Sequence, residues 1–220
     1  MDRVFSAVQR PYSDIPHVAV AIGKTPTPGQ YHVGILHRES NSSNVLLLDL
    51  AWHCLLRNVS AGPDYFWVDL PIPARRAQNI AARCRQIWKR NGSSTIPYGF
   101  SHPGDCFDNA TGQYLFGATR VGLTCASFVL AVFHFAGVPL IRYETWPTER
   151  AGDREWQEHL LSLLQGSATS DHISAIRSEI GAVRYRPLDV AGSATQTPPV
   201  EFEVASQFAE QVLLMIERTT

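Results

Sequence analysis

Cys125 is the residue of this chain best placed to act as a nucleophile. It lies where a short polar segment turns abruptly into an apolar helix, in Gly122-Leu123-Thr124-Cys125-Ala126-Ser127-Phe128-Val129-Leu130. A thiol at a helix N-terminus lies at the positive end of the helix dipole, which favours the thiolate and lowers the cysteine pKa. Because the thiolate is the nucleophilic form, the sequence predicts nucleophilic chemistry at Cys125.

A histidine that can activate this thiol lies upstream, on a predicted hairpin. Residues 31–38 and 45–53 have the composition of two strands, and the Ser- and Asn-rich stretch 39–44 between them is typical of a turn. In cysteine hydrolases an imidazole takes or shares the thiol proton and later protonates the leaving group. His32, on the first strand, is the predicted base.

The register of this hairpin predicts which polar groups surround His32. A symmetric turn centred between Asn41 and Ser42 places His32 opposite Ala51. Because directly opposed residues and residues two apart point to one face, a polar face results, made of His32, Gly34, Asp49 and His53. The other face of the second strand is apolar and is predicted to be core; it comprises Leu46, Leu48, Leu50 and Trp52. Either Asp49 or His53 is then positioned to orient the imidazole.

The developing oxyanion of such a reaction needs hydrogen-bond donors. The backbone N–H of Cys125, at the helix start, is one predicted donor, and the Tyr98 hydroxyl is a candidate for the second. Thr124 is predicted to be the helix N-cap and is grouped with Tyr98 as a residue for oxyanion or substrate positioning. Two weaker alternatives are Cys106 as nucleophile, although no apolar helix follows it, and His172 as base, although its surroundings favour a helix.

The composition excludes several other classes of function. The chain has 220 residues, 45% hydrophobic content and a formal net charge of -1, which fits one globular domain and gives no case for nucleic-acid binding. Its four cysteines form no CxxC pair and are too few for a disulfide framework. No metal-ligand spacing and no cofactor motif is present, so we expect neither a metal nor a cofactor.

Helices are predicted around the hairpin and the nucleophile. The apolar run 121–141 is about as long as a membrane span, but polar residues within it and the Gly137-Val138-Pro139 break favour a buried helix and no transmembrane segment. The helix predicted at 73–90 has an apolar stripe and many arginines. Those arginines are interpreted as a solvated face, or alternatively as a docking surface for an anionic protein partner. Further helices are expected at 153–164, 172–180 and 204–217, with a linker at 191–199.

The nucleophile region resembles that of the NlpC/P60 superfamily of papain-like cysteine peptidases. The similar stretches are Ile96-Pro97-Tyr98-Gly99, the segment around Cys125, and the helix exit Gly137-Val138-Pro139-Leu140. The family usually has Asp-Cys-Ser-Gly at the nucleophile, where this chain has Thr124-Cys125-Ala126-Ser127. Its His-Val-Gly-Ile strand normally follows the cysteine, whereas His32-Val33-Gly34-Ile35 precedes it. This order resembles the circularly permuted branch, which includes lecithin–retinol acyltransferase-like proteins.

The resemblance implies a fold and a set of roles. It implies an α+β, permuted papain-like fold, in which a small antiparallel sheet packs on the nucleophile helix with helices at the periphery. It covers about residues 15–141 as a catalytic core within a single domain 1–220, with 142–220 as a helical C-terminal extension. Cys125 is implied as nucleophile, His32 as base and Tyr98 as the tyrosine near the nucleophile. For the third residue, His53 is preferred over Asp49, because the permuted branch often has a polar residue on the next strand.

The expected activity is therefore that of a cysteine peptidase or amidase, acting through an acyl-enzyme on a peptide, isopeptide or acyl-amide substrate. The alternatives are an acyltransferase or thioesterase using the same Cys–His pair, and an inactive papain-like binding module. The N-terminal residues lack the apolar stretch of a signal peptide. We accordingly expect a cytoplasmic protein, or an effector secreted by a route that needs no signal peptide.

Overall fold

The computed structural model describes residues 3–40, 42–100, 104–117 and 121–219. Within these ranges the fold is α+β, with one six-stranded antiparallel sheet and six α-helices. The strands are β1 (Val4–Ser6), β2 (Val18–Lys24), β3 (Tyr31–Arg38), β4 (Val45–Trp52), β5 (Leu55–Ser60) and β6 (Phe66–Asp69). The helices are α1 (Ala74–Asn91), α2 (Cys125–Phe135), α3 (Asp153–Leu164), α4 (Ser170–Ser178), α5 (Pro187–Ala194) and α6 (Phe202–Thr219). The sheet is open, in the order β1-β6-β2-β3-β4-β5.

The β3–β4 hairpin has the register that the sequence predicts. Ile35 pairs with Leu48 and Leu36 pairs with Leu47, which is the alignment of a turn centred between residues 41 and 42. Asn41 itself lies outside the described residues. Because a one-residue slip would move every side chain to the other face, this register decides which β4 residue meets His32.

Both faces of the hairpin are buried. Leu48 and Leu50 belong to the main core, together with Phe128 of α2, as predicted for that face of β4. Leu47, on the other face, packs with Leu36 and Trp67 in a second, smaller cluster. The polar face predicted around His32 therefore has apolar neighbours further along the same strands.

β5 is a strand that sequence reasoning missed. It follows β4 after a tight turn at His53 and Cys54, where Cys54 has a φ of 51°. β5 pairs with β4 and places Arg57 directly opposite Asp49. This pairing brings a cation to the face of the sheet that carries His32.

Helix α2 begins at Cys125 because the residue before it caps the helix. The Thr124 side chain accepts a hydrogen bond from the Ser127 N–H, and the Ser127 hydroxyl accepts one from the Thr124 N–H, which together form a capping box. The predicted N-cap is thus confirmed. The helix ends before Gly137, whose φ of 69° is the left-handed conformation expected just after a helix C-terminus.

The C-terminal part of the chain is helical, as predicted, but the expected linker at 191–199 is wrong over its first half. Val190, Ala191 and Ala194 are fully buried in α5, which packs against β2 and β3. Gly192 lets α6 approach closely, since a Cβ atom there would lie 2.5 Å from the carbonyl oxygen of Ala205. Small residues in this stretch serve helix packing, not flexibility. Within the described residues, no helix has the length and apolar character needed to cross a membrane.

Candidate active site

Cys125 is buried at the first position of α2, with 5% of its surface exposed. Burial alone raises the pKa of its thiol, but the His32 imidazole opposes this by its charge and by a hydrogen bond. The Val33 backbone and the Tyr98 hydroxyl add further hydrogen bonds, so that the pKa of Cys125 lies below its ordinary value. These contacts favour the thiolate at the end of the helix where the dipole also favours it.

His32 is the histidine that meets this thiol. Its burial lowers the imidazole pKa, but the Cys125 thiolate and the carboxylate of Asp49 outweigh burial and raise the pKa to about 10. The Nε2 atom of His32 lies 2.6 Å from Oδ2 of Asp49, which leaves Nδ1 as the ring nitrogen for the thiol. The two pKa values thus shift in opposite directions, each towards a thiolate–imidazolium pair.

Asp49 is held by two cationic partners. Its side chain is completely buried, and Arg57 binds it with two nitrogens, Nε at 3.1 Å from Oδ1 and the second on Oδ2. Burial raises the pKa of this carboxyl, but the hydrogen bonds from His32 and Arg57 lower it below its ordinary value. The arrangement keeps Asp49 ionised and aimed at the imidazole.

Gly34 provides the space for that carboxylate. A Cβ atom at Gly34 would lie 2.8 Å from the Cβ of Asp49 and 2.8 Å from Cδ1 of Leu47. Asp49 therefore occupies the space that a side chain at position 34 would need.

Tyr98 is brought to Cys125 by a close backbone pairing. The Leu123 N–H donates to the Pro97 carbonyl at 3.0 Å, and the Gly99 N–H donates to the Leu123 carbonyl at 3.3 Å. Gly122 permits this approach, because a Cβ atom there would lie 2.5 Å from the Gly99 nitrogen. The Tyr98 phenol interacts with both the backbone N–H and the side chain of Cys125, and burial raises its pKa well above the ordinary value. The two predicted oxyanion donors are thus adjacent.

Two histidines hold the backbone of Tyr98 from behind. The Tyr98 N–H donates to Nδ1 of His53 at 3.3 Å, and Nε2 of His172 donates to the Tyr98 carbonyl oxygen at 2.8 Å. Their rings are 4.7 Å apart, and burial followed by the charge of His172 lowers the pKa of His53. In the described part of the chain, His53 makes no hydrogen bond to His32. The partner of the imidazole is Asp49, and the preferred residue of the sequence prediction lies beside Tyr98 instead.

The remaining predicted residues lie elsewhere or have other roles. Thr124 acts as the helix cap and also lines the cavity at Cys125. Cys106 is buried, and burial followed by the charge of Asp105 raises its thiol pKa to about 12. Several arginines of α1 bind within the chain, among them Arg83 to the Asn109 carbonyl and Arg85 to the Arg38 carbonyl. All four cysteines are free, and no cluster suited to a metal ion is present among the described residues.

Sequence reasoning missed Arg57 and Tyr65. The position of Arg57 could be predicted only together with strand β5, whose sequence Leu-Leu-Arg-Asn-Val-Ser has only a weak strand pattern. Tyr65 lies edge-on to His32, with ring centroids 6.5 Å apart, just before β6. Its position depends on the pairing of β6 with β2, which is a long-range contact that local patterns do not specify.

A cavity of about 620 Å³ opens at the nucleophile. Cys125, His32, Trp52 and Tyr98 line one part of it. The C-terminal region supplies the rest, from the start of α3, the segment before α5, and α6. The helical extension therefore forms part of the walls of the site. Comparisons of this chain with protein-family models, with curated proteins and with solved structures found no match.

Proposed function

We propose that this chain is a cysteine hydrolase that cleaves an amide or peptide bond through an acyl-enzyme on Cys125. The observation that carries the proposal is the line of contacts from the Cys125 thiol through the His32 imidazole to the buried Asp49 carboxylate. A nucleophile, a base and an orienting group in mutual contact are the geometric signature of acyl transfer. An inert buried cysteine has a raised pKa, as Cys106 does, whereas that of Cys125 is lowered.

The proposed reaction begins with attack of the Cys125 thiolate on the carbonyl carbon, which forms a C–S bond and moves an electron pair to the carbonyl oxygen. The N–H of Cys125 and the hydroxyl of Tyr98 stabilise that oxyanion. As the C–N bond breaks, the His32 imidazolium gives its proton to the leaving nitrogen. Water then attacks the thioester while neutral His32 accepts a proton from it, and loss of the acid returns the thiolate–imidazolium pair.

Asp49 takes the third role in this proposal, and Arg57 positions Asp49. The carboxylate fixes the His32 ring with Nε2–H towards Asp49, and it stabilises the imidazolium before acylation. His53 and His172 take a different role, since they hold the segment that presents the Tyr98 hydroxyl.

We further propose that the fold is a circularly permuted papain-like one. Three observations support this: the nucleophile begins a buried helix, that helix packs on an antiparallel sheet that carries the base, and the base precedes the nucleophile in the chain. The four-residue exit Gly137-Val138-Pro139-Leu140 follows the helix directly.

Trapping of the acyl-enzyme tests the proposed function. The full chain is mixed with 4-nitrophenyl acetate, an activated acyl donor, and the acetylated residue is mapped by mass spectrometry. We expect a burst of nitrophenolate and one acetyl group on Cys125, both abolished in Cys125→Ser and retained in Cys54→Ser. Cys54 is a partly exposed cysteine outside the site and serves as the matched control. Acetylation spread equally over the four cysteines, without a burst, would overturn the proposal.

A further inference from the structure

The cavity at Cys125 contains a group of three arginines that the acyl-transfer mechanism does not use. Arg150, Arg184 and Arg186 all line the same cavity as Cys125 and His32. They come from two segments, one leading into α3 and one leading into α5. Gln157 of α3 fixes the second segment, through hydrogen bonds with the Gly181 N–H and the Ala182 carbonyl.

Only two carboxylates within the group neutralise these three cations. Asp153 pairs with Arg184 at 3.0 Å, with Arg186 at 2.8 Å and with Arg150 at 3.4 Å, while Asp189 pairs with Arg150 at 2.8 Å. Three positive charges against two negative charges leave one positive charge. Glu210 of α6 also lines the cavity but is exposed and, within the described residues, forms no salt bridge with the three arginines.

Each of the three nitrogens of Arg150 already donates a hydrogen bond, to Asp153, Asp189 or the Arg184 carbonyl, which leaves two of its five N–H groups. Arg184 differs, since its Nε is buried and has no hydrogen-bond partner among the described residues. Its guanidinium is held in place by stacking on Trp156, 3.8 Å from the ring centroid. Arg186 retains a 36% exposed side chain at the cavity wall. Arg184 and Arg186 keep 16% and 36% of their side chains exposed, and both line the cavity, so that a guanidinium held on Trp156 lies beside a more accessible one in a pre-organised anion site.

The electrostatics of Arg184 agree with this. Burial lowers its pKa to about 10, and the charges of Arg186 and Arg150 lower it against the opposing effect of Asp153. Arg184 therefore remains cationic at neutral pH, although the neighbouring positive charges oppose its own charge. A bound anion would offset that opposition.

We infer that Arg184 and Arg186 bind an anionic group, a carboxylate or a phosphate, on the substrate whose acyl group is transferred to Cys125. The inference that the anion belongs to a substrate rests on the proposed function. The anion site itself does not depend on catalysis. The site would select acyl compounds that carry a negative charge at a distance from the scissile bond.

Thermal unfolding of the full chain, with glutarate or inorganic phosphate as probe at constant ionic strength, tests the inference. At saturating anion we expect the unfolding midpoint to rise by roughly 2–4 °C relative to chloride. The same rise is expected in Cys125→Ser. Arg186→Gln should lose it, and Arg177→Gln, with the same change of charge on an exposed residue of α4 outside the cavity, should keep it. Arg184→Lys, which keeps the charge but lacks the planar fork, provides a second variant that should lose most of the response.

Protection of Cys125 from iodoacetamide gives the second readout. The bound anion should slow alkylation of Cys125 roughly tenfold in the wild type and not in Arg186→Gln. A larger response to glutarate than to phosphate indicates a carboxylate-bearing substrate, and the reverse indicates a phosphorylated one; either supports the inference. An equal rise of the unfolding midpoint over chloride in wild type and Arg186→Gln, with both anions, would overturn it. The unfolding midpoint of Cys125→Ser measures anion binding in a variant that lacks the nucleophile. Failure of the anion site and failure of the proposed catalysis can therefore be distinguished.

Discussion

The Asp49 carboxylate lies 2.6 Å from the His32 imidazole, and both groups depend on a neighbour for their charge state. Arg57 binds the other side of Asp49, and the Cys125 thiolate lies on the other side of His32. Charges thus alternate along the line Cys125, His32, Asp49, Arg57. Each member favours the ionised form of the next, so a change at one position alters the protonation of the others.

Replacement of Asp49 by Asn tests the charge of this side chain at nearly constant volume. The amide leaves the His32 imidazolium without its counter-ion, and it also allows the other tautomer of the neutral His32 ring. We expect the acetylation rate of Cys125 by 4-nitrophenyl acetate to fall roughly 10²-fold or more. Asp69→Asn, at a partly exposed carboxylate on β6, is the control. An unchanged rate in Asp49→Asn would assign the third role to another residue.

The same variant has a defined effect on stability. We expect a loss of about 2 kcal/mol in the free energy of unfolding, less than for a fully buried pair because the Arg57 side chain is 39% exposed. The folded pKa of Asp49 is below its ordinary value of 3.8, so its contribution is present above that value and is lost as the pH falls through the folded pKa. Urea unfolding should show a wild-type advantage that narrows in acid, as Asp49 is protonated, and narrows again above neutrality as the pH rises towards the His32 pKa of about 10, because Asp49 helps to raise that pKa. An advantage that stays constant in acid would contradict the assignment.

Gly34→Ala should displace the carboxylate. The added methyl group would lie 2.8 Å from two side-chain atoms, those of Asp49 and Leu47, which forces one of them to move. We expect a loss of about 1–3 kcal/mol in stability and slower acetylation of Cys125. Gly62→Ala, where a Cβ atom meets nothing within 4 Å, is the matched control. Denaturation and burst kinetics on both variants check the prediction, and normal kinetics in Gly34→Ala would show that Asp49 tolerates displacement.

Tyr98→Phe removes one of the two predicted oxyanion donors. Acyl transfer should slow by roughly 10²-fold, which is the effect of losing one such donor in other acyl-transfer enzymes. Alkylation by iodoacetamide forms no oxyanion and should slow far less. A comparison of the two rates on the same preparation therefore isolates the hydroxyl. If both rates fall by the same factor, Tyr98 serves the thiolate and not the oxyanion.

His172→Phe tests whether His172 acts through Tyr98. The variant keeps an aromatic ring but loses the donor to the Tyr98 carbonyl, and we expect acetylation to slow roughly tenfold. His172→Gln retains a donor and should recover part of the rate. A double-mutant cycle with Tyr98→Phe should show strong coupling. His172→Phe acts by misplacing the Tyr98 hydroxyl, so it should have little further effect on the rate once that hydroxyl has been removed. Additive effects would mean that His172 has a role separate from Tyr98.

The parts of this site that could be predicted from sequence are those that depend on contacts between residues close together in the chain. The helix start at Cys125 and the β3–β4 register depend on neighbours along the chain, so the cap and the facing of His32 and Asp49 could be predicted. Choosing between Asp49 and His53 required knowing that β4 ends at Trp52 and that His53 lies in the following turn.

The missed features depend on residues distant in sequence or on weak local signals. Arg57 required the unpredicted strand β5, and the arginines of the cavity wall belong to segments that meet only in the folded chain. The small residues of α5 resemble a linker locally, but in the fold they permit close packing against α6. Composition alone does not distinguish these two uses of Gly, Ala and Ser.

The pH dependence of Cys125 alkylation is the most direct test of the central claim. Iodoacetamide labelling of the full chain, mapped to each of the four cysteines, should be rapid and selective at Cys125 and should level off at a lower pH than an ordinary thiol, because the His32 imidazole lowers the pKa of Cys125. In His32→Ala, the lowered pKa of Cys125 is lost, and labelling should become slow at neutral pH and rise about tenfold per pH unit. Labelling of Cys125 in the wild type that rises with pH like an ordinary thiol, and that His32→Ala leaves unchanged, would contradict a catalytic Cys125–His32 pair.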